Sequence, residues 1–393
     1  MVRDLAQITM AISTAEPEQL TKASPRQAAF YRPELDALRF FAFFAVFLRH
    51  SLPANEALYR HLPIVGHLGA LISRALLSGA LGVDLFFTLS AYLITELLLR
   101  EKESCGGLDV RYFYVRRILR IWPLYFAFIA FSLLLTRFVS GQALTASCVG
   151  FFLLLSGNWY CVLHNYPASV IAPLWSVSIE EQFYLLWPLV VRRASMKTIG
   201  WFAAGMLVVA NLARLVLLHA GAPQVALWTS TPTRIDPIAC GILLALWLRR
   251  GAFRASPLNR AVVLSLGFAA WLFASSLGII DGDVGTARGM VAYPLAALGA
   301  VLIFLAFYDA PADGVRVLDN PTLRYLGRIS YGLYVFHFVG LLFAHRIVRH
   351  SKPLAWLVAF ACTLAMSMAS YRFIETPFLR WKLRFTHVES RPV

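Results

Sequence analysis

The first apolar segment carries an arginine and a histidine whose spacing places them on one helix face. The segment reads RPELDALRFFAFFAVFLRH, and Arg39 and His50 lie eleven residues apart in it. In an α-helix that separation is about three turns, so the two side chains share a face and lie about 16 Å apart. An arginine binds anions, and an imidazole readily moves protons near neutral pH. The structural alternative is an arginine that snorkels to one membrane surface and a histidine at the other.

Asp84, near the start of the second apolar segment GVDLFFTLSAYLITELLLRE, is a candidate partner for His50. If this segment runs antiparallel to the first, Asp84 lies at about the same depth in the membrane as His50. A carboxylate beside an imidazole fixes the tautomer of the ring and makes it a better base. The alternative is that Asp84 only caps the start of the helix, which is a common position for aspartate.

A further carboxylate, Glu180, lies on a polar stripe in the apolar segment PLWSVSIEEQFYLLWPLV. Ser176, Glu180 and Tyr184 recur every four residues and therefore share one side of the predicted helix. A carboxylate within a membrane segment is costly and usually has a function, although pairing with an arginine of another helix is the structural alternative. Glu181 is about 100° further round the helix, so only one of the two glutamates faces any one site.

Two arginines, Arg117 and Arg120, lie three residues apart in the segment YVRRILRIWPLY. That spacing puts both side chains on one face at the start of the third predicted membrane helix. Paired guanidinium groups bind phosphates through bidentate hydrogen bonds. Alternatively, the arginines serve only as signals that hold this end of the helix in the cytoplasm.

The sequence does not predict a metal site. His337, in GRISYGLYVFHF, is a single histidine in an apolar helix, and we interpret it as a hydrogen-bonded core residue rather than a catalyst. The other histidines have no partners at the spacing of metal ligands, and the five cysteines show no CxxC pattern. The cysteines therefore predict neither a zinc site nor a disulfide framework.

The composition indicates what kind of scaffold must position these residues. Of the 393 residues, 59% are hydrophobic and 15% are charged, against about 45–50% and about 25% in a typical soluble protein. This balance excludes a soluble globular enzyme and a disordered chain, and it predicts a polytopic membrane protein. The net charge of +15 would suggest nucleic-acid binding in a soluble protein, but cytoplasmic loops of membrane proteins carry Lys and Arg as topology signals. We therefore predict no nucleic-acid partner.

Eleven apolar runs approach the ~20 residues that a membrane helix needs. They cover residues 35–52, 81–99, 121–139, 147–163, 173–191, 199–219, 235–248, 261–280, 290–308, 329–345 and 353–373. The positive-inside rule is best satisfied if all of them except 147–163 cross the membrane, because the arginine-rich loops then lie in the cytoplasm. The sequence therefore predicts an all-α transmembrane bundle of ten spanning helices with both termini cytoplasmic and with 147–163 re-entrant or peripheral. In this prediction residues 1–33 are a polar cytoplasmic segment, 34–378 the membrane domain and 379–393 a cytoplasmic tail.

These segments, in this order, resemble the acyltransferase 3 family of integral membrane O-acyltransferases over roughly residues 30–378. The first run is similar to the family's first-helix signature, an arginine and a histidine with ten residues between them. GVDLFFTLSAYLI and RRILRIWPLY resemble the signatures of the second and third helices. Ala91 stands where the family commonly has glycine, a change of one methyl group. PLWSVSIEEQFYLLWPL, TRIDPIACGILLA, SYGLYVFHF and YRFIETPF also match.

The resemblance implies an enzyme of the multi-pass cytoplasmic membrane that uses acyl-coenzyme A (acyl-CoA), most often acetyl-CoA, as co-substrate. The acyl group passes to a hydroxyl group of a sugar or glycan, such as a cell-surface polysaccharide or a lipid-linked glycan, and no metal takes part. His50 would be the general base or carry a transient acyl group, and Asp84 or Glu180 would orient it. The expected donor-binding residues are Arg39, Arg117 and Arg120, and the expected catalytic residues are His50, Asp84 and Glu180.

Two alternatives stay open at this point. Ten helices with buried charges also describe many transporters, here of a small anionic or glycan substrate. Transporters often have two similar halves or helices broken at matching positions, and the sequence shows neither. The other large family of membrane-bound O-acyltransferases would need a catalytic histidine in the C-terminal half, for which only His337 is available.

Overall fold

The computed structural model describes residues 30–55, 68–139, 141–251, 253, 255–280, 282, 285–309, 320–348, 350–386 and 388, and every regular element in them is helical. In chain order the α-helices are α1 (Pro33–Ser51), α2 (Gly69–Ser78), α3 (Gly82–Ser104), α4 (Val110–Phe138), α5 (Ala146–Leu153), α6 (Gly157–His164), α7 (Trp175–Arg193), α8 (Met196–His219), α9 (Gln224–Thr229), α10 (Asp236–Leu248), α11 (Pro257–Ser276), α12 (Thr286–Phe307), α13 (Pro321–Arg328), α14 (Ser330–Ile347), α15 (Lys352–Ser370) and α16 (Thr376–Lys382). Short 3₁₀ turns cover Gly79–Leu81, Ala172–Leu174, Pro232–Arg234 and Leu383–Phe385, and a π-helical turn covers Tyr371–Glu375.

Six of the described helical stretches are long and apolar enough to cross a membrane. α13 and α14 meet this criterion only as a pair, and the two helices are bent by 73° at their junction. The prediction of an all-helical, multi-pass membrane protein is confirmed at this level. The number of ten crossings and the cytoplasmic position of both termini stay predictions, and residues 1–29 lie outside the described residues.

The helices differ in how much of their apolar surface faces protein. In the stretch Gly69–Ser104, which contains α3, 78% of the most apolar window is buried, against 17% in α8. α3 therefore runs through the centre of the bundle, whereas α8 lies at its rim and exposes side chains such as Val216. Lipid tails cover such side chains in a membrane, so their exposure is expected and does not mark a binding patch.

α1 and α3 approach closely because glycines replace larger residues at their contact. A Cβ atom on Gly79 would collide with the backbone carbonyl of Ala45, and one on Gly82 with the carbonyl of Ala42. Small residues of this kind let membrane helices bring their backbones together. The contact fixes α1, the helix that carries Arg39 and His50, against the central helix of the bundle.

The segment 147–163, predicted to be re-entrant or peripheral, forms the two eight-residue helices α5 and α6. Each is about 12 Å long, which is too short for a hydrocarbon layer about 30 Å thick. The turn between them includes Leu155 at a positive φ of 54°. Gln182 of α7 donates a hydrogen bond of 2.9 Å to Asn158 of α6, so this segment packs against the helix that carries Glu180.

Ion pairs gather at one end of the bundle. Arg249, just after α10, binds Glu96 of α3 at 2.9 Å, and Arg116 of α4 binds Glu101 of α3 at 2.5 Å. Arg116 also donates to the carbonyl of Phe385 at 2.8 Å, so the chain beyond the predicted boundary at residue 379 is still held against the bundle. This arginine-rich end is the one that the positive-inside rule assigns to the cytoplasm.

Cysteine labelling tests the predicted orientation. Cys105 is exposed just after α3, at the arginine-rich end, and Gly285 precedes α12 at the opposite end. We expect a membrane-impermeant maleimide added to intact cells to leave Cys105 of the wild-type protein unlabelled until the membrane is permeabilised. The same reagent should label Gly285→Cys in a Cys105→Ser background without permeabilisation. Labelling of both positions from the same side would contradict the predicted topology.

Candidate active site

Four of the six predicted site residues meet in one cavity. This first cavity has an empty volume of about 770 Å³ and lies between α1, α3, α4, α7 and α14. The polar stripe predicted on α7 also faces it. The residues singled out from the sequence that line this cavity are Arg39, Arg117, Arg120, Ser176, Glu180 and Tyr184. Side chains from three different helices therefore converge here, which spacing within a single helix could not establish.

A second cavity of about 620 Å³ adjoins the first on the side of the arginine-rich end. The two cavities share Ser90 and the three predicted donor-binding arginines. Arg32 and Lys382 line the second cavity as well, and Asp36 is the one carboxylate among its described lining residues. Arg32 is paired with Asp309 at 2.7 Å and Arg39 with Asp36 at 3.8 Å. The positive charge that remains around this cavity favours a negatively charged ligand.

Arg117 and Arg120 keep their charges available for a ligand. Neither forms an ion pair with any residue in the described part of the chain, and the buried Nε of Arg117 has no hydrogen-bond partner there. The Arg117 guanidinium lies over the rings of Phe113 and Tyr184, at 5.6 and 5.4 Å from their centroids. These rings hold the guanidinium at the cavity wall without neutralising it. A phosphate oxygen would supply the missing hydrogen-bond acceptor.

The two adjacent glutamates of α7 point in different directions. Glu180 lines the first cavity and hydrogen-bonds Ser90 of α3, whose hydroxyl group also contacts that of Tyr184. Glu181 accepts a hydrogen bond of 2.9 Å from Nε1 of Trp122. The helix separates the two side chains by about 100°. Glu180 is therefore the glutamate that can act on a ligand in the cavity.

His50 lies beyond the first cavity, and its ring partner is His337 of α14. Nδ1 of His50 and Nε2 of His337 are 3.1 Å apart. His337 is fully buried, and its Nδ1 donates to the carbonyl of Tyr334 at 2.5 Å. The ring of Tyr334 packs on His337, and its hydroxyl group is 2.8 Å from that of Ser176 at the cavity wall. Tyr334 thus separates the first cavity from the histidine pair.

The structure corrects the prediction that Asp84 or Glu180 orients His50, because neither carboxylate contacts that ring. Asp84 instead forms an ion pair of 2.8 Å with Arg234, and both side chains are almost completely buried. Thr88, one turn further along α3, donates to the carbonyl of Pro237 at 3.2 Å. This face of α3 therefore points to α10 and not to α1. Spacing along the helix predicts a depth for Asp84 but not the direction in which its side chain points.

Asp84 and Arg234 belong to a buried cluster of four charges. Arg214 of α8 pairs with Asp236, the first residue of α10, at 2.5 Å. The Arg234 guanidinium also lies over the ring of Trp228, at 4.1 Å from its centroid. Two cations and two carboxylates leave the cluster neutral, which is the condition under which charges are tolerated inside a membrane protein.

A comparison with protein families identifies the scaffold. The model of the acyltransferase domain family matches residues 32–372. The chain belongs to this acyltransferase family. The match extends from the residue before α1 into the π-helical turn, so it includes both histidines of the pair, the buried charge cluster and every lining residue of the first cavity. The resemblance found in the sequence is thereby confirmed.

Three curated relatives of this acyltransferase are similar along most of the chain. The peptidoglycan O-acetyltransferase OatA of Listeria monocytogenes is 27% identical over 382 residues, covering 91% of this chain and 57% of the relative. The putative peptidoglycan O-acetyltransferase YrhL of Bacillus subtilis is 29% identical over 374 residues, covering 88% and 55%. A putative O-acetyltransferase of Staphylococcus aureus is 25% identical over 365 residues, covering 88% and 57%. The chain thus spans little more than half the length of these relatives, and no solved structure matches it.

His337 and Arg234 contact predicted site residues but were not assigned to the site from the sequence. His337 was interpreted as a hydrogen-bonded core residue, which its burial confirms, but its contact with His50 was not foreseen. Arg234 received no assignment, and it neutralises Asp84. Both lie in segments that resemble the family, SYGLYVFHF and TRIDPIACGILLA. That resemblance was the available signal for them.

Proposed function

We propose that this membrane acyltransferase moves an acyl group, in the simplest case acetyl, from acyl-CoA to a hydroxyl group of a glycan. The observation that supports the donor is the pair of adjoining cavities lined by five cations. Acyl-CoA carries phosphates at one end and its thioester at the end of a long, thin arm. A basic cavity that continues into a second, inner cavity fits a ligand of this shape and charge.

The cavities suggest how the donor is oriented. The phosphates of acyl-CoA bind in the second cavity, where Arg32 and Lys382 join the three predicted arginines. The arm then extends past Ser90 into the first cavity, toward Tyr334. In this proposal the Tyr334 side chain moves aside, which opens a path between the thioester and His50. The reaction therefore takes place at the far end of the cavity from the arginines.

The chemistry that we propose is general-base catalysis by His50. Its imidazole takes the proton of the acceptor hydroxyl while the hydroxyl oxygen attacks the thioester carbonyl. The tetrahedral intermediate then expels CoA as a thiolate, which leaves with a proton from the histidine or from water. His50 is exposed, so an acceptor can reach it without entering the basic cavities. The acceptor and the donor thus approach from different sides.

The acceptor class rests on the relatives. OatA of Listeria monocytogenes is named a peptidoglycan O-acetyltransferase, and YrhL of Bacillus subtilis carries the putative form of that name. We propose a glycan of the same general kind, either a cell-surface polysaccharide or its lipid-linked precursor, and a location in the cytoplasmic membrane. No observation favours the alternative of a transporter, and membership of the acyltransferase family favours an enzyme.

Release of free thiol from acetyl-CoA by the purified full-length chain tests the proposed function. In detergent or liposomes, thiol should appear in the presence of soluble peptidoglycan fragments or sugar oligomers, with matching O-acetyl esters on the glycan. Heat-inactivated protein and reactions without glycan are the controls. Movement of a labelled glycan into liposomes, with neither thiol nor ester formed, would contradict the proposal and support a transporter.

We expect Arg117→Ala to raise the KM for acetyl-CoA by about ten- to a hundredfold with a smaller change in kcat. A charge-assisted contact to phosphate contributes roughly 1.5–3 kcal/mol, and it acts on donor binding in the ground state and transition state alike. Arg111→Ala is a matched control, because Arg111 lies on the same helix but is exposed and lines neither cavity. Equal KM values for the two variants would argue against the proposed donor site.

A further inference from the structure

We infer that His337 is a positioning residue that holds His50 with its proton on Nδ1 and its lone pair on Nε2. The inference rests on the proposed role of His50 as the base, and it assigns a function to a residue that the sequence places only in the core. Two contacts carry it: that of Nδ1 of His337 with the carbonyl of Tyr334, and that of Nε2 of His337 with Nδ1 of His50.

The first step fixes the tautomer of His337. Its Nδ1 is 2.5 Å from the carbonyl oxygen of Tyr334, and a carbonyl oxygen can only accept. Nδ1 of His337 therefore carries a proton. The ring is fully buried between the rings of Phe43 and Phe338, and no carboxylate contacts it among the described residues. A second proton would create a buried charge without a partner, so Nε2 is left as an acceptor.

The second step passes this constraint to His50. Because Nε2 of His337 accepts, Nδ1 of His50 must donate across the 3.1 Å between them. The backbone carbonyl of Val46, one turn earlier on α1, also accepts a hydrogen bond from the His50 ring and can share the same N–H. A neutral imidazole has one N–H, so Nε2 of His50 holds the lone pair. His50 is exposed, and Nε2 is the nitrogen that an acceptor hydroxyl can approach.

Without His337 this arrangement loses its main support. A free neutral imidazole prefers the tautomer with the proton on Nε2, in which the nitrogen that faces the acceptor is a donor and cannot act as a base. The ring would also lose one of the contacts that hold its plane, while the Val46 backbone and the Phe338 ring still touch it. His337 therefore acts on the reaction only through His50, and it touches neither substrate.

Nitrogen NMR on the purified chain, labelled with ¹⁵N-histidine, reads the tautomer directly. The His50 signal is assigned by its absence in His50→Gln. We expect the wild-type ring of His50 to show the proton on Nδ1, and we expect it to move to Nε2 in His337→Leu. A wild-type His50 with its proton on Nε2 would overturn the inference whatever the activity of any variant.

Activity measurements separate positioning from a structural role. We expect His337→Leu to lower kcat by about a hundredfold, with the KM for acetyl-CoA nearly unchanged. His337→Gln should restore a large part of kcat, because its side-chain oxygen can accept from His50 near the position of Nε2. His345→Leu is the matched control, since His345 lies two turns further along α14, is exposed and bonds only the Leu341 carbonyl among its described neighbours.

The outcomes distinguish this inference from the proposed function. If His50→Ala loses turnover but His337→Leu keeps both turnover and the Nδ1 proton of His50, the inference is wrong and the proposed function stands. If His50→Ala keeps normal turnover, the proposed base is wrong. If His337→Leu does not fold, the wild-type tautomer and the response of His337→Gln decide, and a folded Gln variant that lacks activity would count against the accepting role.

Discussion

Replacing His50 with alanine is expected to lower kcat by about 10²–10⁴ while the Kd for acyl-CoA hardly changes. General-base catalysis contributes an acceleration of this order, and the proton moves only in the transition state. His50 lines neither of the two basic cavities, so its removal leaves the proposed donor site intact. Turnover measured as thiol release, and donor binding measured by calorimetry on the same preparation, give both quantities.

This prediction is sharpest when His50→Ala is compared with Arg117→Ala. His50→Ala should lower kcat and leave donor binding normal. Arg117→Ala should raise the KM for acetyl-CoA and keep much of its kcat. Weakened donor binding in His50→Ala would make His50 a donor-positioning residue. Near-normal turnover in His50→Ala would remove it from the chemistry altogether, and the catalytic group would have to be sought in the first cavity, where Glu180 lies.

The first cavity shows which parts of a site within a membrane protein can be predicted from the sequence. Arg117 and Arg120 share a helix face because of the helical period, and Glu180 shares its face with Ser176 and Tyr184 for the same reason. Such relations within one helix are local and follow from spacing. The arginines of α4 and the glutamate of α7 meet in one cavity because each helix turns its polar face inward. This orientation is expected, since charges are costly on a lipid-facing surface.

The contacts between distant segments could not be predicted in the same way. His50 and His337 are separated by 287 positions along the chain, and Asp84 and Arg234 by 150. Spacing gives the depth of a residue in the membrane and its position around its own helix axis. It does not give the rotation of that helix against its neighbours. Asp84 was therefore placed at a plausible depth but paired with the wrong partner.

The count of membrane spans shows a second limit. α10 has 13 residues and runs from the buried Asp236 to Leu248, so it is about 20 Å long. Its hydropathy is that of an apolar run, but the helix is shorter than the ~20 residues that a membrane-spanning helix needs. Its first residue, Asp236, belongs to the buried charge cluster. Apolar runs in the sequence therefore do not translate one by one into helices that cross the membrane.

The buried charge cluster leads to the largest expected change in stability. We expect Asp84→Ala to lower the free energy of unfolding by about 3–5 kcal/mol, because it leaves Arg234 buried without its partner. The remaining cluster would hold two cations and one carboxylate in an environment that does not solvate charge. Thermal unfolding of the purified chain in detergent should show a clearly lower midpoint, and the fraction that remains folded should keep most of its donor binding.

Two comparisons make this expectation decisive. Glu103→Ala removes a carboxylate from the same helix, but Glu103 is 58% exposed in its pair with Arg249, so the cost should stay below about 1 kcal/mol. Replacing both partners, as Asp84→Leu with Arg234→Leu, removes the uncompensated charge and should recover much of the stability that the single change loses. If Asp84→Ala instead folds as stably as the wild type and loses kcat, then Asp84 acts in the chemistry and its pairing with Arg234 serves the reaction, not the fold.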